Sequence, residues 1–305
     1  FSADPFARAC GLPSAPVDPL LAFHIVFGKT VPDISLNAVA NLGYADGRFL
    51  KAIFPGDTLH SQSEVIGLKE NANAKSGVVY VRTTGFDQHG EAALQYCRWV
   101  MVNKRDEKSP PPAAHTPSLP EAIAATDLVV PQGLSFADYD PVLAGAPHLF
   151  EDYAIGEKID HVDGMTVEEA EHQIATRLYQ NTAKVHFDAV LQQASRFGKR
   201  LIYGGVTIST ARSLSFNGLA NAGLWLAFNG GRHVAPLFAD DTVYAWSEVL
   251  DKAKLSDTVG ALRLRLVATK NAACAHHPFK GDDGQYDPSV ILDFDYWAAI
   301  PLRTK

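Results

Sequence analysis

The chain has 305 residues, 47% apolar and 20% charged, an ordinary composition for a globular chain of one large or two medium domains. Its net charge of -7 and the lack of a basic block argue against sequence-independent nucleic-acid binding, which needs a cationic field to neutralise phosphates. Three widely spaced cysteines, Cys10, Cys97 and Cys274, indicate neither a disulfide framework nor a zinc ribbon, so a reducing, cytoplasmic setting is expected. No apolar run approaches the roughly 20 residues of a membrane span, and no signal peptide is read at the opening.

In chain order, the first informative stretch is SLNAVANLGY at 35–44, which returns as SFNGLANAGL at 215–224 with five identities. Next, FPGDTLHSQSEV at 54–65 returns as FADDTVYAWSEV at 238–249 with six identities, and Gly47-Arg48 lands on Gly231-Arg232. Two collinear matches separated by a single four-residue insertion indicate a duplicated domain. The first copy is taken as residues 1–102. The chain opens on Phe1, and roughly ten residues precede Gly11 where roughly fifty precede the comparable Gly198, so part of the first copy is expected to lie outside this sequence.

Within the first copy, GVVYVRTTGF and EAALQYCRWVMV flank DQHG and read as a hairpin. Residues 103–149 hold eight of the eighteen prolines and show no sustained periodicity, so they read as an extended connection between the copies. The second copy then runs over 150–305. Thr166 three residues before Glu169 reads as a capping box, with Val167, Ala170, Ile174 and Leu178 forming the apolar stripe of a helix that ends near Asn181. FDAVLQQASRFGKR reads as a short helix, and LIYGGVTISTARSLSFNGLA as a long one, apolar on most faces and therefore buried.

Later, ALRLRLVAT sets Leu262, Leu264 and Leu266 against Arg263 and Arg265, the period of a strand with one face covered, and SVILDFDYWAAI alternates likewise. His276 and His277 sit in a polar insertion between these strands that reads as a surface hairpin loop. No metal is expected there. The elements imply an α+β fold in which each copy is an antiparallel sheet wrapped around a long helix, the two sheets lying edge to edge. No Rossmann or Walker pattern is present.

Chemistry-bearing residues collect in the second copy. His186 lies in a polar turn just after the amphipathic helix, with Asn181 five residues earlier. Gly204 and Gly205 open the long helix, whose first N–H groups lack intrahelical partners and carry the positive end of the dipole, so they can serve as an oxyanion hole. The first copy has His24 and Ile25 at those positions, and Pro32 is expected to interrupt its helix. This asymmetry places the site in the second half and leaves the first half to shape the pocket.

NTAKVHFD matches the last part of a Gly-Asp-x-Asn-Pro-(Ile/Leu)-His-x-Asp signature, IYGG occupies the Ala-His-Gly turn that follows it, and FPGDT and FADDT look like the Pro-Gly-Asp-Thr turn after the central helix. In these motifs the chain resembles the MaoC-like, hydratase-2 family in its fused, tandem double-hotdog form. The resemblance covers nearly the whole chain. It implies a hydro-lyase of an acyl-CoA thioester, with no cofactor beyond the CoA of the substrate, and in its closest form the reversible hydration of mesaconyl-CoA to β-methylmalyl-CoA.

Carried over by position, the resemblance makes His186 the catalytic histidine and Gly205 the oxyanion donor. The aspartate that works with the histidine in the family is Asn181 here, and an amide can orient water but not take a proton. Tyr203 and Gly204 are expected to line the substrate site. The free carboxylate of the substrate requires a cation, for which Lys184, standing where the family usually has proline, and Arg177, Arg212 and Arg232 are candidates. Asp188 is either a second acid/base or the N-cap of the next helix. Hydration of another enoyl-CoA, a hotdog thioesterase and a non-catalytic acyl-CoA binding module are the alternatives, and a homo-oligomer is compatible with the fused repeat.

Overall fold

The computed structural model describes residues 3–35 and 38–303. Phe1, and Leu36 and Asn37 of the first repeated stretch, lie outside the described residues. The first repeat comprises α1 (Asp4–Ala9), α2 (Pro19–Ile34), β1 (Ala38–Phe49), β2 (His60–Glu70), β3 (Ser76–Phe86) and β4 (Ala92–Asn103). After the connection, which carries α3 (Pro141–Ala144), come β5 (Lys158–Asp160), β6 (Met165–Thr166), α4 (Glu169–Leu178), α5 (Lys184–Phe187), α6 (Ala189–Gln193), α7 (Gly204–Leu214) and α8 (Phe216–Leu219). The sheet of the second repeat follows as β7 (Leu224–His233), β8 (Thr242–Lys254), β9 (Val259–Lys270) and β10 (Val290–Pro301).

The strands form one antiparallel sheet in the order β2-β3-β4-β1-β7-β10-β9-β8-β5, with β6 also on β8. The two halves meet at β1 and β7, where Tyr44 faces Gly231 and Gly47 faces Phe228. Those two pairs exchange under the repeat that puts Gly47 onto Gly231, so the junction has local two-fold symmetry. The glycines are needed there, because a Cβ on Gly47 would lie 2.2 Å from the Phe228 ring and one on Gly231 would lie 2.4 Å from Phe294. Joining the sheets edge to edge covers one edge strand of each half.

The duplication survives at the level of single hydrogen bonds. In FPGDT the Phe54 N–H donates to Asp57 at 2.8 Å, and in FADDT the Phe238 N–H donates to Asp241 at 3.0 Å. Helix α2 packs on the first half of the sheet, with Phe23 against Tyr44, Tyr96 and Phe228, and α7 packs on β8 and β9, all within one hydrophobic core. Asp18 caps α2 by accepting from Leu20 N–H at 2.8 Å, and Pro19 takes the first helical position, where its missing N–H costs nothing.

Several sequence expectations need correction. Pro32 does not interrupt α2, which continues to Ile34, because the proline sits in the last turn. The long helix expected over 201–220 is instead α7, 11 residues ending at Leu214, followed by the short α8, which is broken at Asn217 and at Gly218 with its left-handed φ of +95°. Thr166 does not cap α4: it pairs in β6, and its hydroxyl meets that of Thr242 at 2.8 Å. The expected apolar stripe of α4 is also displaced, since Ile174 and Leu178 are 58% and 70% exposed while His172 and Thr176 are buried.

The proline-rich connection is extended but not free. Ile123, Leu134 and Phe136 pack with Ala7, Cys10 and Leu12 of the N-terminal segment against Leu226, Ala227 and Trp297 on the other face of the sheet. Asn229 accepts from the Ile123 N–H and Trp297 donates to the Ile123 carbonyl. The 271–289 insertion contains the bridge Lys280–Tyr286 and folds back so that Cys274 and Phe279 cover Trp246. Among the described residues no helix is long and apolar enough to cross a membrane.

Candidate active site

The segment after α4 is tied down before any ligand is considered. Asn181 N–H donates to the Thr176 carbonyl at 3.0 Å, ending the helix, and Asn181 Oδ1 accepts from Ala183 N–H at 3.0 Å. That second bond fixes the orientation of the buried amide and leaves Nδ2, a donor, without a protein partner among the described residues. The next turn, α5, is stapled by the Leu201 N–H to the Val185 carbonyl at 3.1 Å, and Gln173 donates to the His186 carbonyl at 2.9 Å.

The ring of His186 is held in the same way. Its Nδ1 lies 3.0 Å from the Leu201 carbonyl, which can only accept, so Nδ1 carries the proton and Nε2 is the free basic nitrogen. Burial pushes its pKa down to about 4, partly opposed by that carbonyl. At neutral pH the imidazole is therefore uncharged and ready to accept a proton.

Helix α7 supplies the facing wall. Tyr203 N–H donates to His172 Nε2 at 2.9 Å, and the Tyr203 carbonyl accepts from Val206 and Thr207 at 2.9 and 3.3 Å. Gly204 and Gly205 thus provide the first-turn N–H groups that the helix itself cannot satisfy, and Tyr203 adds no side-chain cap. A Cβ on Gly204 would lie 2.4 Å from His233 Nε2, and one on Gly205 would lie 2.4 Å from the Tyr203 ring and 2.5 Å from His24. Both positions require glycine for close approach.

These elements enclose a cavity of about 540 Å³ at the junction of the repeats, within the range of small-molecule sites. The second repeat contributes Asn181, His186, Tyr203, Gly204 and His233, and the first contributes Phe27, Asn41, Tyr44 and Arg98. Of the residues expected from sequence, Asn181, His186, Tyr203 and Gly204 come together on the wall. Gly205 lies behind it, buried under Tyr203 and His24.

The expected cations do not join them. Arg177, Lys184 and Arg232 are exposed and do not line the cavity. Arg212 ties off the end of α7, donating to Ser215 Oγ at 2.7 Å and the Ala222 carbonyl at 3.0 Å. Asp188 caps α6 by accepting from Leu191 N–H at 2.9 Å, its N-cap alternative. Among the described residues no group of three or more His, Cys, Asp or Glu could hold a metal ion.

Sequence reasoning missed His233, Tyr44, Asn41 and Arg98. His233 follows the Gly231-Arg232 repeat pair and stands where the first copy has Phe49, the same kind of asymmetry that marks Gly204. Its Nε2 lies 3.2 Å from Tyr44 Oη, and burial together with nearby His186 lowers its pKa to about 4. Arg98 also carries such a signal. It faces Tyr44 in the β1–β4 register, whereas the corresponding β7–β10 pair is Phe228 and Tyr296. The mouth carries Arg196, stacked on Phe197 at 4.3 Å.

Comparison with known proteins is consistent over nearly the whole length. The family model described as mesaconyl-CoA hydratase matches residues 2–276. The chain is 66% identical over 303 residues to the mesaconyl-CoA hydratase of Cereibacter sphaeroides, covering 98% of this chain and 87% of that one. It is 57% identical to the β-methylmalyl-CoA dehydratase of Chloroflexus aurantiacus, covering 99% and 86%. A crystal structure of a MaoC domain dehydratase from Chloroflexus aurantiacus superposes with a TM-score of 0.96 at 56% identity, covering 99% and 87%. The double-hotdog protein Rv0216 of Mycobacterium tuberculosis shares the fold, with a TM-score of 0.76 at 24% identity over 98% and 86%.

Proposed function

The chain belongs to the mesaconyl-CoA hydratase family, and from that membership we propose that the cavity between the repeats reversibly hydrates mesaconyl-CoA to β-methylmalyl-CoA with His186 as its base. The activity follows from family membership; the assignment of residues rests on geometry. The observation that carries it is the fixed tautomer of His186, which puts the unprotonated Nε2 in a cavity shared with a free amide donor and a helix N-terminus.

In this reading the thioester carbonyl is directed at the free N–H groups of the first turn of α7, where charge developing on its oxygen is stabilised. Gly204, on the wall, supplies the donor there, while Gly205 behind it lets the helix start pack closely against Tyr203 and His24. The Asn181 Nδ2 donates to the oxygen of the attacking water, and His186 Nε2 takes one of its protons. The oxygen bonds to the β carbon as the double-bond electrons move toward the carbonyl, giving an enolate. The same His186 proton then passes to the α carbon, which restores neutral imidazole and completes the addition of water. The reverse sequence is dehydration.

Because Asn181 cannot carry a proton, one group performs both transfers. Arg196 at the mouth is positioned for the CoA phosphates, and the acyl end lies deeper. The experiment is to add mesaconyl-CoA and follow the conjugated enoyl-thioester absorbance together with free thiol. Loss of absorbance without thiol release is expected. Thiol release would indicate a thioesterase, and tight binding with neither change an acyl-CoA binding module.

A further inference from the structure

The cations expected from sequence leave the free carboxylate of a dicarboxylic acyl-CoA without a partner. We propose that Arg98, on β4 of the first repeat, receives that carboxylate and selects carboxylated acyl chains over uncharged ones. This rests on the hydratase reading only for the identity of the substrate, since the subsite itself is defined by the walls of the cavity.

Arg98 is 1% exposed and lines the cavity. Its Nη1 donates to Ser35 Oγ at 3.0 Å and its Nη2 to Thr30 Oγ1 at 2.9 Å, while its guanidinium lies 4.3 Å over the Phe27 ring. Thr30 is itself locked, because its hydroxyl donates to the Phe27 carbonyl at 2.7 Å. The side chain is therefore fixed before a ligand arrives. Yet Nε is buried with no hydrogen-bond partner, and among the described residues the guanidinium is held by hydroxyls rather than by a carboxylate. Tyr96, Tyr44 and Tyr203 are the ionisable groups whose fields reach it.

A buried cation held only by hydroxyls and a ring is poorly compensated, because a buried charge needs both a counter-charge and satisfied hydrogen bonds. A carboxylate entering the cavity supplies both in a low dielectric, where a charge-assisted bond is strong. Asn41 lies on the same wall with Nδ2 and Oδ1 both buried and without partners. Its amide gives the carboxylate a second donor. An acyl chain ending in a methyl group leaves both residues unsatisfied, and such sites reject analogues that cannot make the bond. The first repeat thus selects the substrate that the second converts.

The test compares succinyl-CoA with butyryl-CoA, unreactive ligands of equal chain length with and without the carboxylate, by calorimetry. The native chain is expected to prefer succinyl-CoA by about 10- to 100-fold, the range of a hydrogen-bonded charge, and Arg98→Met to lose that preference. Arg98→Lys, which keeps the charge but not the Nε donor, is expected to fall between them. No preference in the native chain, or an undiminished one in a folded Arg98→Met, overturns the proposal. Should neither variant fold, Arg98→Gln, which keeps a hydrogen-bonding amide without the charge, is expected to lose the preference, and an undiminished one there overturns the proposal equally. A native chain that shows the preference but does not hydrate mesaconyl-CoA overturns the hydratase reading and leaves the subsite standing.

Discussion

His186 Nδ1 and the carbonyl oxygen of Leu201 lie 3.0 Å apart, and this contact determines which nitrogen of the ring can act as a base. With the proton held at Nδ1, Nε2 is free to accept another, and burial lowers the pKa to about 4. Acid should therefore inactivate the enzyme by protonating Nε2. The acid limb of kcat/KM is expected near pH 4, well below the ordinary histidine value of 6.5, in any range where the fold survives. His186→Ala should lower kcat by about 10² to 10⁴, the usual contribution of a positioned acid/base. Unaltered turnover in that variant would remove His186 from the mechanism.

Asn181 permits a sharper test because its Oδ1 is already engaged by Ala183 N–H, leaving Nδ2 as the useful group. Asn181→Ala should lower kcat by about 10-fold or more, as expected for loss of a directed donor. Asn181→Asp keeps the anchoring acceptor but replaces the donor with a carboxylate oxygen, so it should be no better than alanine at neutral pH. If the aspartate variant were as active as the native chain, a proton-carrying group would be acceptable at this position and the donor role would fail. A kcat profile with two ionisations in the native chain would point to a further acid.

Much of the fold was legible because burial leaves a period. Leu262, Leu264 and Leu266 are fully buried between Arg263 and Arg265, as their alternation implied. The FPGDT and FADDT turns were legible as repeats because each needs its aspartate to hold the preceding backbone. Helix α4 was misread because its buried face is polar. His172 accepts the Tyr203 N–H and Thr176 donates to the His172 carbonyl, so the core side is built from satisfied hydrogen bonds and the apolar side is left exposed.

The same limitation applied to the site. His186, Asn181, Tyr203 and Gly204 belong to two neighbouring segments and were readable from local spacing. Arg98, Asn41 and Tyr44 enter from the other repeat, through a junction whose register is not encoded in any one stretch. An arginine on a strand ordinarily reads as a solvent-facing residue. Only the packing of α2 over β4 turns it inward.

The two glycines should separate packing from catalysis. A Cβ at Gly205 meets Tyr203 and His24, both buried in the core, whereas one at Gly204 meets the far end of the His233 ring. Gly205→Ala is therefore expected to lower stability by about 1–3 kcal/mol through overpacking. Gly204→Ala should cost less stability, since His233 can turn, but should narrow the cavity and reduce kcat/KM. Thermal melts and kinetics on both variants check the order, and a greater loss of stability in Gly204→Ala would contradict it.

Five histidines, His24, His161 and His172 in the interior and His186 and His233 on the cavity wall, set the response of the fold to acid. Burial lowers His161, His172, His186 and His233 to about 4 and His24 to about 3, against 6.5 for an unhindered imidazole. Between these limits the unfolded chain binds protons that the folded chain refuses, so stability falls as pH drops from about 6.5 toward 4 and is fully present above 6.5. Each such group adds up to one proton to the difference between the unfolded and folded chains, so their effects on the slope are cumulative. Stability is therefore expected to fall progressively through that window. His161 tests this away from the cavity, since its Nδ1 meets the Asn217 carbonyl at 2.6 Å and its Nε2 the Ser247 hydroxyl at 2.9 Å. His161→Gln should lower stability at pH 7 through lost hydrogen bonds yet reduce the slope of unfolding free energy against pH by about one proton. Denaturant titrations from pH 7 to 5 measure that slope, and an unchanged slope would mean that His161 is not among the groups whose protonation unfolds the chain.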